Sequence, residues 1–159
     1  TTIFKRKIYD KILDWKENSA GNTALLIEGA RRIGKSTIVQ EFARREYASF
    51  VMIDFVNAPR TVVNLFDDMS DLQYFFLSLQ SLTGVQLIPG KSVVILDEVQ
   101  FCPKARQAIK YLVQDGRFHY IETGSLISIK KNIKDILIPS EERRLEMYPL
   151  DFEEFLWAI

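Results

Sequence analysis

The hydrophobic positions of the chain follow two alternating patterns. Short apolar runs, typical of strands buried on both faces, are separated by longer segments with an apolar residue every three or four positions, as in helices. Strands are predicted at residues 23–28, 50–55, 92–96, 118–123 and 145–148. Helices are predicted at residues 4–15, 35–46 and 103–115, and as two pieces within 59–84 that are broken near 67–70. This alternation predicts an α/β fold, in which a mostly parallel sheet is covered by helices on both faces.

The composition of the chain excludes several classes of protein function. The 159 residues, 47% of them hydrophobic, are enough for one domain with a substantial core. The 21 Lys and Arg residues balance 21 Asp and Glu residues, which does not favour a surface built for nucleic acid. The net charge does not exclude a local basic patch. A single Cys and a single His exclude an internal disulfide and a Cys/His zinc site made by this chain alone. No apolar run approaches the roughly 20 residues of a membrane span, so we expect a cytoplasmic domain.

A phosphate-binding loop is predicted where the first strand meets the second helix. Residues 29–36 read GARRIGKS and match the pattern G-x-x-x-x-G-K-[ST] between a strand and a helix. The glycines let backbone N–H groups face an anion, the lysine contacts the β- and γ-phosphates, and the serine hydroxyl suits Mg²⁺. The side chains of Arg31 and Arg32 face the nucleotide, a neighbouring subunit or solvent, and the sequence does not decide among these. The predicted nucleotide-binding residues are Gly29, Ala30, Arg31, Arg32, Ile33, Gly34, Lys35, Ser36 and Thr37.

Two acidic residues follow the most strand-like segment of the chain. Four apolar residues precede Asp97 and Glu98, and they deliver both acids to the sheet edge where the phosphate loop is expected. Asp97, together with Ser36, is predicted to hold Mg²⁺. Glu98 is predicted to be the base that polarises the attacking water, with Lys35 as its catalytic partner on the phosphates. A kinase needs no such glutamate, so the pair favours hydrolysis.

Other polar residues keep two interpretations each. Thr123 ends a predicted strand. In a functional interpretation it senses the γ-phosphate or holds the attacking water. In the alternative it belongs to an ordinary turn in which Ser125 caps a helix. We expect Thr123 to be catalytic. Arg143 and Arg144 precede the last predicted strand. Either one of them stabilises transition-state charge, in this chain or in a neighbour, or both belong to a solvated charged turn at residues 141–144, and their role is left unassigned. His119 has no evident partner and is interpreted as a core or edge histidine.

Four segments in this order resemble a family of prokaryotic AAA-type ATPases, in which an N-terminal ATPase domain precedes a C-terminal domain of unknown function. They are GARRIGKS at 29–36, LDEVQ at 96–100, IETGS at 121–125 and MYPLDFEEF at 147–155. The resemblance implies an additional-strand P-loop fold, with the 118–123 strand between the strand before the phosphate loop and the strand before the acids. By position it also assigns the nucleotide site to Lys35, Ser36, Asp97, Glu98 and Thr123.

The resemblance also implies how the chain is organised. We expect one ATPase domain over residues 1–159, with an N-terminal helix at 1–20, a nucleotide-binding core at 23–150 and the start of a truncated C-terminal helix at 151–159. A C-terminal partner domain is expected outside this chain. Assembly into a homo-oligomer is compatible with the sequence but is not decided by it. The chain alone is expected to bind ATP but to hydrolyse it poorly, because no transition-state arginine can be assigned.

The function that follows is binding and Mg²⁺-dependent hydrolysis of ATP, which drives or gates the missing domain. ATP is favoured over GTP because the Asn-Lys-x-Asp signature of guanine specificity does not occur. Two alternatives remain, namely a nucleotide-gated binding switch that hydrolyses slowly and a DNA-associated initiator or motor-like ATPase.

Overall fold

The computed structural model describes residues 7–29, 34–125 and 142–147. The helices are α1 (Lys7–Asn18), α2 (Lys35–Glu46), α3 (Arg60–Val63), α4 (Leu72–Thr83) and α5 (Pro103–Asp115), with 3-10 turns at Asn64–Asp67 and Val99–Phe101. The strands are β1 (Ala24–Gly29), β2 (Ser49–Asp54), β3 (Ser92–Asp97), β4 (His119–Ser125) and β5 (Glu142–Met147). Strands and helices alternate as predicted.

The five strands form one parallel sheet in the order β2-β3-β4-β1-β5. Strand β4 lies between β1 and β3, since Ile121 is in register with Leu25 on one side and with Ile95 on the other. This is the inserted strand that the additional-strand fold requires, so the predicted fold class is confirmed. The carboxyl ends of β1, β3 and β4 therefore meet at one edge of the sheet, where parallel sheets bind their ligands.

Helices cover both faces of the sheet, which gives the fold three layers. Every residue of β1 and of β3 is buried, and this explains why both strands read as uninterrupted apolar runs. Helices α1 and α2 pack on one face around Trp15 and Phe42. On the other face, five phenylalanines make a continuous series of edge-to-face contacts beneath α4 and α5. They are Phe55, Phe66, Phe75, Phe76 and Phe118.

Local sequence signals set the ends of the helices on this second face. The Asp71 side chain accepts a hydrogen bond of 3.0 Å from the backbone N–H of Tyr74, so α4 begins with a capped first turn just after the predicted break. Gly84 and Gly116 follow α4 and α5 in the left-handed conformation that glycine adopts without strain. Pro103 occupies the first turn of α5, where its missing N–H costs no helical hydrogen bond.

The last strand differs from its prediction. β5 begins at Glu142 rather than at residue 145, and Arg143 and Arg144 lie inside it, so the predicted charged turn at 141–144 is wrong for residues 142–144. A charged sequence such as ERRLEM can form a strand here because, among the strands that the structure describes, β5 is at the edge of the sheet and pairs only with β1.

Several predictions fall on residues outside the described ranges. They concern residues 1–6, the phosphate-loop positions 30–33, the segment 126–141 and the expected C-terminal helix at 151–159. Within the described ranges, no helix has the length and apolar character needed to cross a bilayer.

Candidate functional site

The predicted phosphate loop joins β1 to α2. Gly34 precedes the helix with φ of 90° and ψ of 18°, a left-handed conformation that suits a residue without a Cβ. The first turn of α2 contains no acidic residue, and no side chain caps it, so its N–H groups are suited to an anion. Lys35 is buried, and its Nζ donates to the carbonyl oxygen of Gly29 at 3.1 Å. This contact anchors the lysine across the mouth of the loop.

Asp97 connects the phosphate loop to the sheet. Its Oδ1 accepts hydrogen bonds from Ser36 Oγ at 2.7 Å and from Thr123 Oγ1 at 2.6 Å. Burial raises the pKa of Asp97, and the bonds from Thr123 and Ser36 oppose that rise. Ser36 Oγ and the Asp97 carboxylate are both hard oxygen donors, and they lie within one hydrogen bond of each other. This donor set fits Mg²⁺, whose protein ligands are oxygens and whose remaining positions are commonly filled by water and phosphate.

Glu98 lies at a sharp turn immediately after β3. Among the described residues, it is the one non-glycine residue with positive φ, at 56°. Holding such a residue in this conformation costs on the order of 1–3 kcal/mol, and such strain is concentrated at functional sites. The turn places Oε1 of Glu98 3.9 Å from Lys35 Nζ. The two side chains predicted to work together on the phosphates are therefore already adjacent.

Thr123 contacts both Asp97 and Glu98. It is completely buried at the end of β4, and its hydroxyl accepts a 3.0 Å hydrogen bond from the backbone N–H of Glu98 while donating to Asp97. The single donor of the hydroxyl and one of its two acceptor positions are thus engaged by the acids. This geometry favours a residue that positions Asp97 and Glu98 over one that itself holds a water. Ser125, the alternative helix cap, is the buried last residue of β4.

The remaining predicted nucleotide-binding residues have different outcomes. Thr37 lies in the first turn of α2 and is exposed beside Ser36. Ala30, Arg31, Arg32 and Ile33 lie outside the described residues, so their predicted role stays a prediction.

Comparison with known proteins agrees with this arrangement. The sequence profile of a family described as an AAA domain matches residues 21–156, which is most of the chain. The chain belongs to this AAA domain family. The expected family resemblance is therefore confirmed.

One solved structure shares the fold of this AAA domain. A crystal structure of the DnaC helicase loader superimposes with a TM-score of 0.55 at 10% sequence identity, over 93% of this chain and 92% of that one. The structure of C. elegans PCH-2 gives a TM-score of 0.45 at 16% identity, over 91% of this chain and 39% of that one. At such low identity the first match shows a shared fold alone, and nothing is inferred from the second. No curated protein matches the sequence.

This AAA domain also has a second cluster of charges, on the sheet face that packs against α5. Arg106 of α5 donates to both carboxylate oxygens of Glu142, at 2.9 and 3.2 Å, and both side chains are almost completely buried. Arg144 lies 3.3 Å from Glu28 and 3.7 Å from Glu142. Glu122, on β4, is completely buried beside them. The cluster therefore joins α5 to three strands of the sheet.

Glu122 and Glu142 differ in the directions in which their pKa values are shifted. Burial and the neighbouring Glu142 raise the pKa of Glu122 well above its usual range. Burial alone would also raise the pKa of Glu142, but hydrogen bonds from Glu122 and Arg106 and the charges of Arg106 and Arg144 hold it below its usual value. Burial beside Glu142 thus favours the protonated form of Glu122, and the neighbouring arginines favour the ionised form of Glu142.

The raised pKa of Glu122 predicts that the domain loses stability as the pH rises. The folded state keeps the Glu122 proton at pH values where the unfolded chain, with a pKa of 4.5, has released it. Each pH unit within that window costs up to about 1.4 kcal/mol of the free energy of unfolding. Glu122→Gln keeps the size of the side chain and has no proton to release. In urea titrations from pH 4.5 upward, the variant should therefore gain stability relative to wild type.

Glu17→Gln is the matched control for this experiment. Glu17 is an exposed residue of α1, so its replacement should leave the slope of stability against pH unchanged. Parallel curves for wild type and Glu122→Gln would show that Glu122 is ionised in the folded domain.

The sequence did not reveal some of these contacts. The two arginines of β5 are held by protein partners, because Nη1 of Arg143 donates to Ser19 Oγ at 3.0 Å and Arg144 contacts Glu28. Neither contact places an arginine beside Lys35. His119 also has a partner after all, since its Nδ1 shares a 2.7 Å hydrogen bond with the Tyr47 hydroxyl. Burial, with a smaller contribution from Lys16, lowers the pKa of His119, which fits the predicted core histidine.

Proposed function

We propose that this AAA domain binds ATP with Mg²⁺ and hydrolyses it. One observation carries the proposal: the hydrogen bonds from Ser36 and Thr123 to Asp97 bring the phosphate loop and the acidic end of β3 into a single site. A strand end with two acids is common on its own. Here the first acid is bonded to the serine of a phosphate loop, and the second has an oxygen 3.9 Å from a buried lysine, so the site has the chemistry that phosphoryl transfer needs.

The roles of the residues follow from their contacts. Lys35 is positioned to contact the β- and γ-phosphates, and the N–H groups at the start of α2 are suited to the same anion. Ser36 and Asp97 are the residues that would hold Mg²⁺, which when bound neutralises charge on the phosphate oxygens. Glu98 is the base for the attacking water. Thr123 keeps both acids in place through its two hydrogen bonds.

Other expectations from the sequence remain part of this proposal. They are a single ATPase domain over residues 1–159, a C-terminal domain that the ATPase cycle drives or gates, a cytoplasmic location and assembly into a homo-oligomer. A transition-state arginine is not assigned, because Arg143 and Arg144 are bonded elsewhere and Arg31 and Arg32 lie outside the described residues.

Replacing Lys35 by Ala is expected to weaken ATP binding about ten- to a hundredfold. The substitution removes a charge-assisted hydrogen bond to phosphate, and a bond of this kind contributes about 1.5–3 kcal/mol. Isothermal titration with ATP and Mg²⁺ measures the change, and circular dichroism checks that the variant is folded. Lys110→Ala is the control, since Lys110 is an exposed lysine on α5. Equal affinity in a folded Lys35→Ala variant would rule out the lysine as a phosphate ligand.

The hydrolysis step is tested by phosphate release from the wild-type protein in Mg²⁺ and ATP, with and without DNA. Turnover that does not depend on DNA supports the proposal as stated. Turnover that requires DNA would favour the DNA-associated alternative, and binding without turnover would favour the nucleotide-gated switch.

A further inference from the structure

Gln100 is a buried polar residue next to the site that the sequence analysis did not single out. It lies in the 3-10 turn Val99–Phe101, and 8% of its surface is exposed. Its Nε2 donates to Oε2 of Glu98 at 2.6 Å. A short hydrogen bond from a buried amide to a carboxylate is stronger than one between two neutral groups. We propose that Gln100 is a positioning residue that fixes the orientation of the Glu98 carboxylate, an inference that rests on the proposed ATPase function.

The two oxygens of Glu98 have different surroundings. Gln100 bonds Oε2, whereas Oε1 is the oxygen near Lys35 Nζ. The amide therefore sets the rotation of the carboxylate and leaves Oε1 on the side of the phosphate loop. Without that bond the side chain could rotate about three torsions, and ordering it for the reaction would cost conformational entropy. Gln100 reduces this cost before the nucleotide arrives.

The backbone of the turn determines that these two side chains meet. The backbone N–H of Phe101 donates to the Glu98 carbonyl at 3.1 Å, and the left-handed conformation of Glu98 begins this tight turn. The completely buried Val99 anchors the turn in the core. Thr123 holds the Glu98 backbone N–H at the same time. Glu98 is thus held at its backbone by Thr123 and at its carboxylate by Gln100.

The chemical type of residue 100 matters for this role. A glutamine amide orients the carboxylate and stays neutral, so Glu98 remains able to accept a proton from water. A lysine would add a second positive charge beside Glu98, whose Oε1 already lies 3.9 Å from Lys35 Nζ, and a glutamate would repel it. An uncharged donor of this length is the side chain that orients a base without neutralising it.

The test is a double-mutant cycle between Gln100 and Glu98. Gln100→Met keeps the length and volume of the side chain and removes the amide, and Gln100→Ala is a second variant. Each is made in the wild type and in a Glu98→Gln background. Gln107→Met, at an exposed position of α5, is the control. ATP hydrolysis is followed under single-turnover conditions with excess protein, ATP affinity by titration and folding by thermal unfolding.

We expect both Gln100 variants to hydrolyse ATP about ten- to a hundredfold more slowly, the effect of losing a hydrogen bond to a charged group. Their ATP affinity should stay within about twofold of wild type, since Gln100 does not touch the nucleotide in this account. In the Glu98→Gln background, removing Gln100 should cause no further loss, because the positioned group is already gone.

Other results overturn the inference in distinguishable ways. Wild-type rates in both variants, an equal loss in the Glu98→Gln background, or unfolding of both variants would each show that Gln100 does not act through Glu98. Wild-type protein that binds ATP but never hydrolyses it would remove the proposed function, and the positioning role with it.

Discussion

Replacing Glu98 by Gln is expected to lower the rate of ATP hydrolysis about 10²–10⁴-fold, which is the usual cost of losing a general base. The substitution keeps the size of the side chain and retains the Gln100 contact in part. The strained turn after β3 should therefore keep its conformation. ATP affinity should change little, because Asp97, Ser36 and Lys35 remain in place. Phosphate release and ATP titration on the same preparations separate the two effects.

Glu41→Gln is the matched control for this prediction. Glu41 lies on the surface of α2, where it pairs with Arg44 and Arg45, and surface pairs of this kind contribute little. Turnover of the Glu98→Gln variant at the wild-type rate would contradict the assignment of Glu98 as the base. A loss of ATP affinity as large as the loss of rate would instead indicate that Glu98 contributes to binding.

Replacing Arg106 by Met is expected to lower the free energy of unfolding by about 3–5 kcal/mol. Arg106 and Glu142 form a pair with 2% and 0% of their side-chain surfaces exposed, and the variant leaves the carboxylate buried without its main partner. Arg144, with Nε 3.7 Å from Glu142, offsets part of this loss. Because whole domains are stable by only about 5–15 kcal/mol, a loss of this size should be plain in urea denaturation.

Lys104→Met on the same helix is the control, since Lys104 and Asp67 form a pair whose side chains are more than half exposed. Its effect should stay below about 1 kcal/mol. The double variant Arg106→Met with Glu142→Met should recover much of the lost stability, because it leaves no unpaired charge. Equal stability of wild type and Arg106→Met would show that the pair is not buried in solution.

Much of the fold could be predicted because the sheet is covered on both faces. Strands such as β1 and β3 have no solvent side, so their sequences are continuous apolar runs that end at a recognisable motif. The start of β5 could not be predicted in this way. It is an edge strand whose charged side chains find partners on other elements, and a charged segment read alone favours a turn.

The same contrast applies to the site. Lys35, Ser36, Asp97 and Glu98 lie in short local motifs whose chemistry is readable from spacing. The contacts of Thr123 and Arg106 join residues that are 26 and 36 positions apart, so they depend on the strand order rather than on the local sequence. Gln100 could have been noticed, because it follows the acidic pair by two residues, but only the left-handed turn at Glu98 shows that the two side chains meet.

The central claim is that the phosphate loop and the end of β3 form one site for ATP and Mg²⁺. Isothermal titration of the wild-type protein with ATP, in Mg²⁺ and again in EDTA, tests this claim most directly. We predict saturable binding of one ATP per chain, stronger in Mg²⁺ because Ser36 and Asp97 are placed to share the ion. The absence of saturable binding up to millimolar ATP in folded protein would contradict it.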